Sequence, residues 1–123
     1  MKLTDERTLG ANVVRSYAPG EVRVGERVVT NSCLISAAEL ITDWRPQSID
    51  ALELEDLEPL LALAPEIVVL GAGVRQRFPR QEWMAALLSR GIGCEVMDTG
   101  AACRTYNVLV SEDRKVVAAL FVE

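Results

Sequence analysis

The residues best suited to bind a ligand are found in a glycine turn and in a short segment near position 100. Gly71 and Gly73 follow the apolar run at residues 67–70, and Arg75 adds a positive charge two residues later. A Gly-x-Gly turn at the end of a strand can present backbone N–H groups to a phosphate or another anion. The first question is therefore whether this turn holds a nucleotide, a smaller anion or no ligand.

A nucleotide is not expected at this turn. The dinucleotide-binding fingerprint needs Gly-x-Gly-x-x-Gly leading directly from a strand into a helix. Gln76 occupies the third glycine position, and Pro79 is better placed to begin the following helix. Asp98, the acidic residue after the next strand, comes later than the usual spacing of about 20 residues. The P-loop sequence Gly-Lys-Ser/Thr is missing as well, so we predict no nucleotide and no other cofactor.

A smaller ligand is still compatible with the turn. If the strand that ends at Met97 lies beside the turn, Thr99 begins a helix next to it. We therefore predict a crevice for a ligand or a protein contact, formed by six residues: Gly71, Gly73, Arg75, Thr99, Arg104 and Asn107. The alternative is that the glycines only permit a tight bend and the arginines are surface charges. In that case Asn107 fastens its helix to the glycine loop.

The chain contains no histidine, which removes Ser-His and Cys-His nucleophile activation and the commonest transition-metal ligand. Cys33, Cys94 and Cys103 include no Cys-x-x-Cys pair, so buried, reduced thiols are expected. A smaller possibility is a reactive Cys103, because a helix N-terminus can lower the pKa of a thiol. We predict no catalytic residue and no metal site, which favours a protein that is not an enzyme without excluding catalysis.

Composition sets broader limits. The 123 residues are 50% hydrophobic and 25% charged, which suits one globular domain spanning residues 1–123. The 13 basic and 18 acidic residues give a net charge of −5, which argues against nucleic acid as a partner. No stretch approaches the ~20 apolar residues of a membrane span, and the acidic start does not resemble a signal peptide. We expect a cytoplasmic protein in which residues 1–10 form a loose arm.

The first third of the chain has the pattern of an antiparallel meander. Pro19-Gly20 suits a type II turn, and Gly25-Glu26 suits a two-residue hairpin loop. Around that loop Val22, Val24, Val28 and Thr30 alternate. Residues 33–35 give a further short strand, which we place in the same meander.

The remainder alternates helices and strands. Helices are predicted at 52–63, 80–90 and about 100–110, and strands at 67–70, 94–97 and 116–122. Pro59 requires the first helix either to begin near Asp56 or to bend, and its acidic residues are expected to form a solvated face. Trp83, Met84, Leu87 and Leu88 are expected to be core residues of the second helix. This order predicts an α/β fold whose last strand is central in a mixed sheet.

The segment 96–123 resembles the C-terminal signature of the Mth938-like family of small domains of unknown function. The residues that carry the resemblance are Asp98-Thr99, Arg104-Thr105-Tyr106-Asn107 and Ala118-Ala119-Leu120, together with the turn Leu70-Gly71-Ala72-Gly73. The family usually has Thr where this chain has Ala72. The resemblance implies a three-layer fold: a central mixed sheet with helices on its faces, plus an antiparallel β element from the N-terminal part.

The resemblance implies little chemistry, since it transfers no catalytic residue. The family includes a mitochondrial assembly factor for respiratory complex I, so it implies a non-enzymatic role in protein interaction or assembly, with another protein as partner. The alternative is a small-molecule or anion binder, or an enzyme, that uses the crevice between the 71–75 loop and the start of the 99–110 helix. Exposed strand edges of the meander leave a homodimer open.

Overall fold

The computed structural model describes residues 10–123, and its elements are arranged around two β-sheets. The strands are β1 (Val14–Ala18), β2 (Glu21–Val24), β3 (Arg27–Val29), β4 (Cys33–Ile35), β5 (Leu40–Ile41), β6 (Ile67–Gly71), β7 (Gly93–Met97) and β8 (Val116–Leu120). The helices are α1 (Leu57–Leu61), α2 (Gln81–Leu88) and α3 (Thr99–Ser111), with 3-10 turns at Ile49–Ala51 and Leu54–Asp56. Most of the arm predicted at residues 1–10 lies outside the described residues.

The central sheet is mixed, as predicted. Its five strands have the order β5-β4-β8-β6-β7. β6 is parallel to both β7 and β8, whereas β4 is antiparallel to β5 and β8. All five residues of β8 are buried, because a middle strand covered on both faces needs apolar side chains on both sides. The central position predicted for the last strand is confirmed.

The three strands β1, β2 and β3 form a separate antiparallel sheet with the two predicted turns. Gly20 has φ +87° and Gly25 has φ +58°, which are values that glycine adopts without strain. The hairpin register pairs Val22 with Val29, so Val29 shares the buried face and Val28 is exposed. The predicted alternation through Val28 was wrong, because the two-residue loop brings Val29 opposite Val22 and directly opposed residues share a face.

The assignment of residues 33–35 to the N-terminal meander was also wrong. β4 pairs with β8 and β5 in the central sheet. Its three residues are all buried, which fits a strand inside a covered sheet better than one in a half-exposed meander.

Two hydrophobic clusters cover the two faces of the central sheet. One joins the sheet to α1 and α2 and contains Trp44, Leu60 and Trp83. The other joins it to α3 and the three-stranded sheet and contains Val22, Ala102 and Tyr106. The result is the predicted α/β fold in three layers, with helices on both faces of a mixed sheet and an antiparallel β element. Within residues 10–123, no helix is long and apolar enough to cross a membrane.

The first helix is shorter than the predicted 52–63. The 3-10 turn at Leu54–Asp56 precedes α1, and Pro59 is the third helical residue. Proline is tolerated there because the first backbone N–H groups of a helix have no partner within it. Of the two predicted alternatives, the helix that begins near Asp56 is therefore confirmed.

Candidate functional site

The glycine turn after β6 and the first residue of α3 are held together by hydrogen bonds, and we call this contact the joint. The Thr99 N–H donates to Gly73 O at 2.8 Å, and the Gly73 N–H donates back to Thr99 Oγ1 at 2.9 Å. The Ala72 N–H donates to Met97 O at 2.8 Å. The backbone donors that could have bound an anion at Ala72, Gly73 and Thr99 are therefore already satisfied within the protein.

The same joint is closed from its other side by the chain after β8. Thr99 Oγ1 donates to Phe121 O at 2.8 Å, and the Phe121 N–H donates to Gly71 O at 2.9 Å. A Cβ added to Gly71 would lie 2.9 Å from Leu120 Cδ2 and 3.0 Å from Thr99 Cα. Glycine is needed at position 71 because Leu120 and the backbone of Thr99 lie too close to leave space for a side chain.

Two carboxylates, those of Glu123 and Asp98, lie beside the glycine turn and the start of α3, where an anion would have to bind. Gly73 has φ +115°, and a Cβ there would lie 2.8 Å from Oε1 of Glu123. At the start of α3 the Asp98 carboxylate accepts the Ala101 N–H at 2.9 Å and caps the N-terminus of the helix. Gly71, Gly73 and Thr99 are thus brought together in a filled contact beside two carboxylates.

The other three predicted site residues take no part in these hydrogen bonds. Arg75 and Arg104 are exposed. Asn107 accepts the Val14 N–H at 2.9 Å and donates to Val14 O at 2.8 Å. The predicted fastening role of Asn107 is therefore present, but its partner is strand β1 and not the glycine loop, because α3 packs against β1 at this point.

Arg104 and Asn107 contribute to a groove between β1 and α3, which we call the Tyr17 groove. It has a volume of about 240 Å³, and its lining includes Arg15, Tyr17, Gly100, Cys103, Arg104 and Asn107. The Tyr17 hydroxyl is buried and has no hydrogen-bond partner among residues 10–123. Burial raises the pKa of Tyr17, and the nearby carboxylates of Asp98 and Glu123 raise it further, so the phenol stays protonated and can donate a hydrogen bond.

Cys33 and Cys103 are buried, as expected from the sequence, whereas Cys94 is only half-buried. All three are free. Burial raises the pKa of Cys33 and of Cys94 to about 12 and that of Cys103 to about 11. Burial therefore outweighs the positive charge of Arg104, which lowers the pKa of Cys103, and the thiolate needed for nucleophilic chemistry is disfavoured. Within residues 10–123, no three His, Cys, Asp or Glu side chains come together as metal ligands.

A larger groove, which sequence reasoning missed, lies between α2 and β7, and we call it the α2–β7 groove. Its volume is about 520 Å³, and its lining includes Phe78, Pro79, Met84, Leu88, Ile92 and Cys94. Phe78 is 68% exposed and Leu88 is 73% exposed. Because exposed apolar side chains gathered on one surface often mark an interaction site, this groove is a candidate for binding.

The sequence contained a signal for this groove in α2. Trp83 and Leu87 are buried in the core as predicted, but Met84 is only half-buried and Leu88 is exposed. Positions 83 and 87 share one stripe of the helix, and positions 84 and 88 share the next stripe. The apolar residues of α2 therefore cover more of the helix surface than the core can bury. The stripe with Trp83 and Leu87 faces the core, and the stripe with Met84 and Leu88 lines the groove.

Comparison with known proteins places this architecture in a family. Residues 14–121 match the family described as a protein of unknown function (DUF498/DUF598). A similar protein of Danio rerio is named NADH dehydrogenase (ubiquinone) 1 alpha subcomplex assembly factor 3; it is 31% identical over 122 residues, which are 98% of this chain and 70% of the relative. Another, from Francisella tularensis subsp. holarctica, is named 13 kDa major membrane protein; it is 29% identical over 120 residues, which are 94% of this chain and 95% of the relative.

Solved structures agree with the family assignment. The solution structure of a Mth938-like domain from Bordetella pertussis has a TM-score of 0.82 and 28% identity, and covers 99% of this chain and 92% of that one. The chain therefore belongs to the family of unknown function DUF498/DUF598 and has the Mth938-like fold.

Proposed function

We propose that this protein binds another protein during the assembly of a larger complex, and that it does so without catalysis. The observation that carries the proposal is the α2–β7 groove, whose exposed Phe78 and Leu88 border about 520 Å³ of mostly apolar space. Burying such side chains against a partner is favourable by roughly 25 cal/mol for each Å² of apolar surface removed from water. Relatives named as complex I assembly factors support an assembly role.

The chemistry of the remaining residues supports a binding role over catalysis. The thiols are held protonated, and the chain has no histidine. The backbone donors of the glycine turn are used inside the fold. A surface that only has to exclude water and present apolar side chains needs none of these groups.

Leu88→Lys tests the proposal. The side chain is 73% exposed at the last residue of α2, so the variant should fold, and a lysine at a helix C-terminus is favourable. Tagged wild type and variant are used to capture partners from the source organism, with Val108→Lys as matched control. Val108 is 55% exposed on α3, which covers the other face of the sheet.

We expect the wild type and the Val108→Lys control to retain the same partner protein in stoichiometric amount, and the Leu88→Lys variant to lose it. A charged group in the apolar groove has to be desolvated without a compensating partner, which should weaken binding by at least about tenfold. Circular dichroism establishes that both variants are folded. Equal capture by all three proteins, or no captured partner for any of them, would contradict the proposal.

A second candidate function is the binding of a small molecule or anion, and the Tyr17 groove favours it. The groove is lined by Tyr17, whose buried phenol has no acceptor among residues 10–123, and by the exposed Arg104. Of the six predicted crevice residues, Arg104 and Asn107 line this groove. Under this candidate a ligand should contact Tyr17, Gly100 and Arg104, and α2 should be unaffected.

A further inference from the structure

We propose that the α2–β7 groove takes an extended, apolar segment of the partner protein, which adds to the central sheet as a strand beside β7. This inference rests on the proposed function and specifies the form of the partner. It combines two independent observations: the apolar groove itself and the open edge of the sheet at its border. Cys94 belongs to both, since it is a β7 residue that lines the groove.

β7 is one of the two edge strands of the central sheet and has β6 as its only paired strand within residues 10–123. The direction of its backbone groups follows from three hydrogen bonds. The Gly93 N–H donates to Glu66 O at 3.2 Å, and Met97 O accepts the Ala72 N–H at 2.8 Å, so positions 93 and 97 face β6. Since the direction alternates along a strand, Cys94 and Val96 face outward.

The third hydrogen bond supports this assignment and sets one end of the open edge. Gln76 Nε2 donates to Val96 O at 2.9 Å, so this outward carbonyl is covered by the loop before α2. The Cys94 N–H, the Cys94 carbonyl and the Val96 N–H have no hydrogen-bond partner among the described residues. Two donors and one acceptor in a row on an edge strand form a short template for another strand.

The form of the groove favours a strand over a helix as the occupant. It is bounded on one side by α2 residues Met84 and Leu88 and on the other by Cys94 of the edge strand. A strand paired with β7 would direct alternate side chains towards the α2 face of the sheet, which is the position of the groove. A helix placed in the groove would bury apolar surface but leave the outward groups of Cys94 and Val96 unpaired.

A second copy of this chain is a poorer occupant than a different protein. Two copies could pair their β7 strands in the antiparallel direction, with Cys94 of one copy opposite Val96 of the other. This arrangement would use the outward backbone groups of both strands. In that register the exposed Glu95 side chains of the two copies stand directly opposite each other, where like charges are destabilising. The chain also carries a net charge of −5, which adds repulsion between copies. We therefore assign the groove to an uncharged apolar segment of another protein.

A selection from random linear peptides of about 12 residues, long enough for a strand of ordinary length, tests the inference with the purified protein. Peptides are selected on the wild type and counter-selected on Leu88→Lys. We expect peptides with alternating apolar residues. In NMR spectra of the labelled protein they should slow the exchange of the Cys94 and Val96 amides more than that of the Gly93 and Glu95 amides.

Methylation of backbone nitrogens supplies the second readout. An N-methyl group on the peptide residue whose N–H meets the Cys94 carbonyl should weaken binding by at least about tenfold, because it removes the donor to the one outward acceptor left open on β7 among the described residues. Methyl groups on the other residues should change binding little. A peptide that binds the groove as a helix, without this dependence on position, would overturn strand addition and leave the proposed function standing.

Two further outcomes have distinct meanings. If no peptide distinguishes the wild type from the Leu88→Lys variant, both strand addition and the proposed use of this groove are contradicted. If the Cys94 and Val96 amides shift with protein concentration in the absence of peptide, the edge pairs with a second copy and the assignment to a different protein is wrong.

Discussion

Asp56 is buried, although the acidic cluster to which it belongs was expected to form a solvated face. It lies among Glu53, Glu55 and Glu58 and is 4% exposed. Its carboxylate accepts hydrogen bonds from Arg45 at 2.8 and 2.6 Å and from the Glu53 N–H at 2.7 Å. The side chain therefore fastens the 3-10 turn before α1 to the Arg45 loop.

The pKa of Asp56 reflects two opposing effects. Burial by itself raises the pKa, but the hydrogen bonds from Arg45 and Glu53 outweigh it and hold the pKa below the ordinary value of 3.8. A lowered folded-state pKa means that the charged carboxylate stabilises the fold fully at pH values above 3.8. This contribution is lost as the pH falls through the lowered pKa.

Replacing Asp56 by Asn tests this linkage. At neutral pH we expect Asp56→Asn to lower the free energy of unfolding by about 1–3 kcal/mol, because a charge-assisted pair with Arg45 is lost in a buried setting. Urea denaturation from neutral pH down to about pH 2 should show the difference between the two proteins shrinking below pH 3.8. A difference that stays constant over this range would show that the Asp56 charge does not stabilise the fold.

At the scale of elements, the decisive feature is the joint between β6, α3 and the segment after β8. Gly71 permits the joint because Leu120 and Thr99 lie within about 3 Å of where a Cβ would stand. Thr99 completes it with one accepted and one donated hydrogen bond through its hydroxyl. The Gly-x-Gly sequence that resembles a phosphate-binding turn is used here for packing of one element against another.

Gly71→Ala tests the role of this joint. The added methyl would overlap Leu120 and the backbone of Thr99, so we expect a loss of about 1–3 kcal/mol in the free energy of unfolding. Gly93→Ala is the matched control, since its Cβ would meet only Ile67 Cγ1 at an ordinary 3.8 Å. That change should be neutral or stabilise by up to about 1 kcal/mol. Equal effects in thermal denaturation would contradict the account of the joint.

The sequence predicts the elements well where local signals agree. The apolar run before Gly71 and the two turns at Gly20 and Gly25 each specify local geometry, and the structure contains all of them. The misplaced features depend on contacts that are distant in sequence. β4 was assigned to the wrong sheet because its partner strand, β8, follows about 80 residues later in the chain, and no local pattern identifies that partner.

Site residues were harder to predict for the same reason. Gly71, Gly73 and Thr99 are close together, as the order of strand and helix suggested. Whether the space between them is an open pocket or is filled depends on side chains from distant parts of the sequence, such as Leu120 and Glu123. The α2–β7 groove was missed because Leu88 has an apolar type suited to either core or groove. Only the rotation of α2 on the sheet decides which of its two apolar stripes is covered.

At the scale of the whole molecule, two grooves lie on opposite faces of the central sheet. The α2–β7 groove is large and apolar and borders an open strand edge, whereas the Tyr17 groove is smaller and lined by polar groups. We propose that the α2–β7 groove is the one that binds a partner protein. The two grooves share no lining residue, so one experiment can separate them.

That experiment is hydrogen–deuterium exchange of the protein alone and in its captured complex. We expect slower exchange in the complex at residues 78–96, with the Cys94 and Val96 amides among those protected, and unchanged exchange at residues 100–107. Protection confined to Tyr17 and residues 100–107, with residues 78–96 unaffected, would contradict the proposal and favour the Tyr17 groove as the binding site.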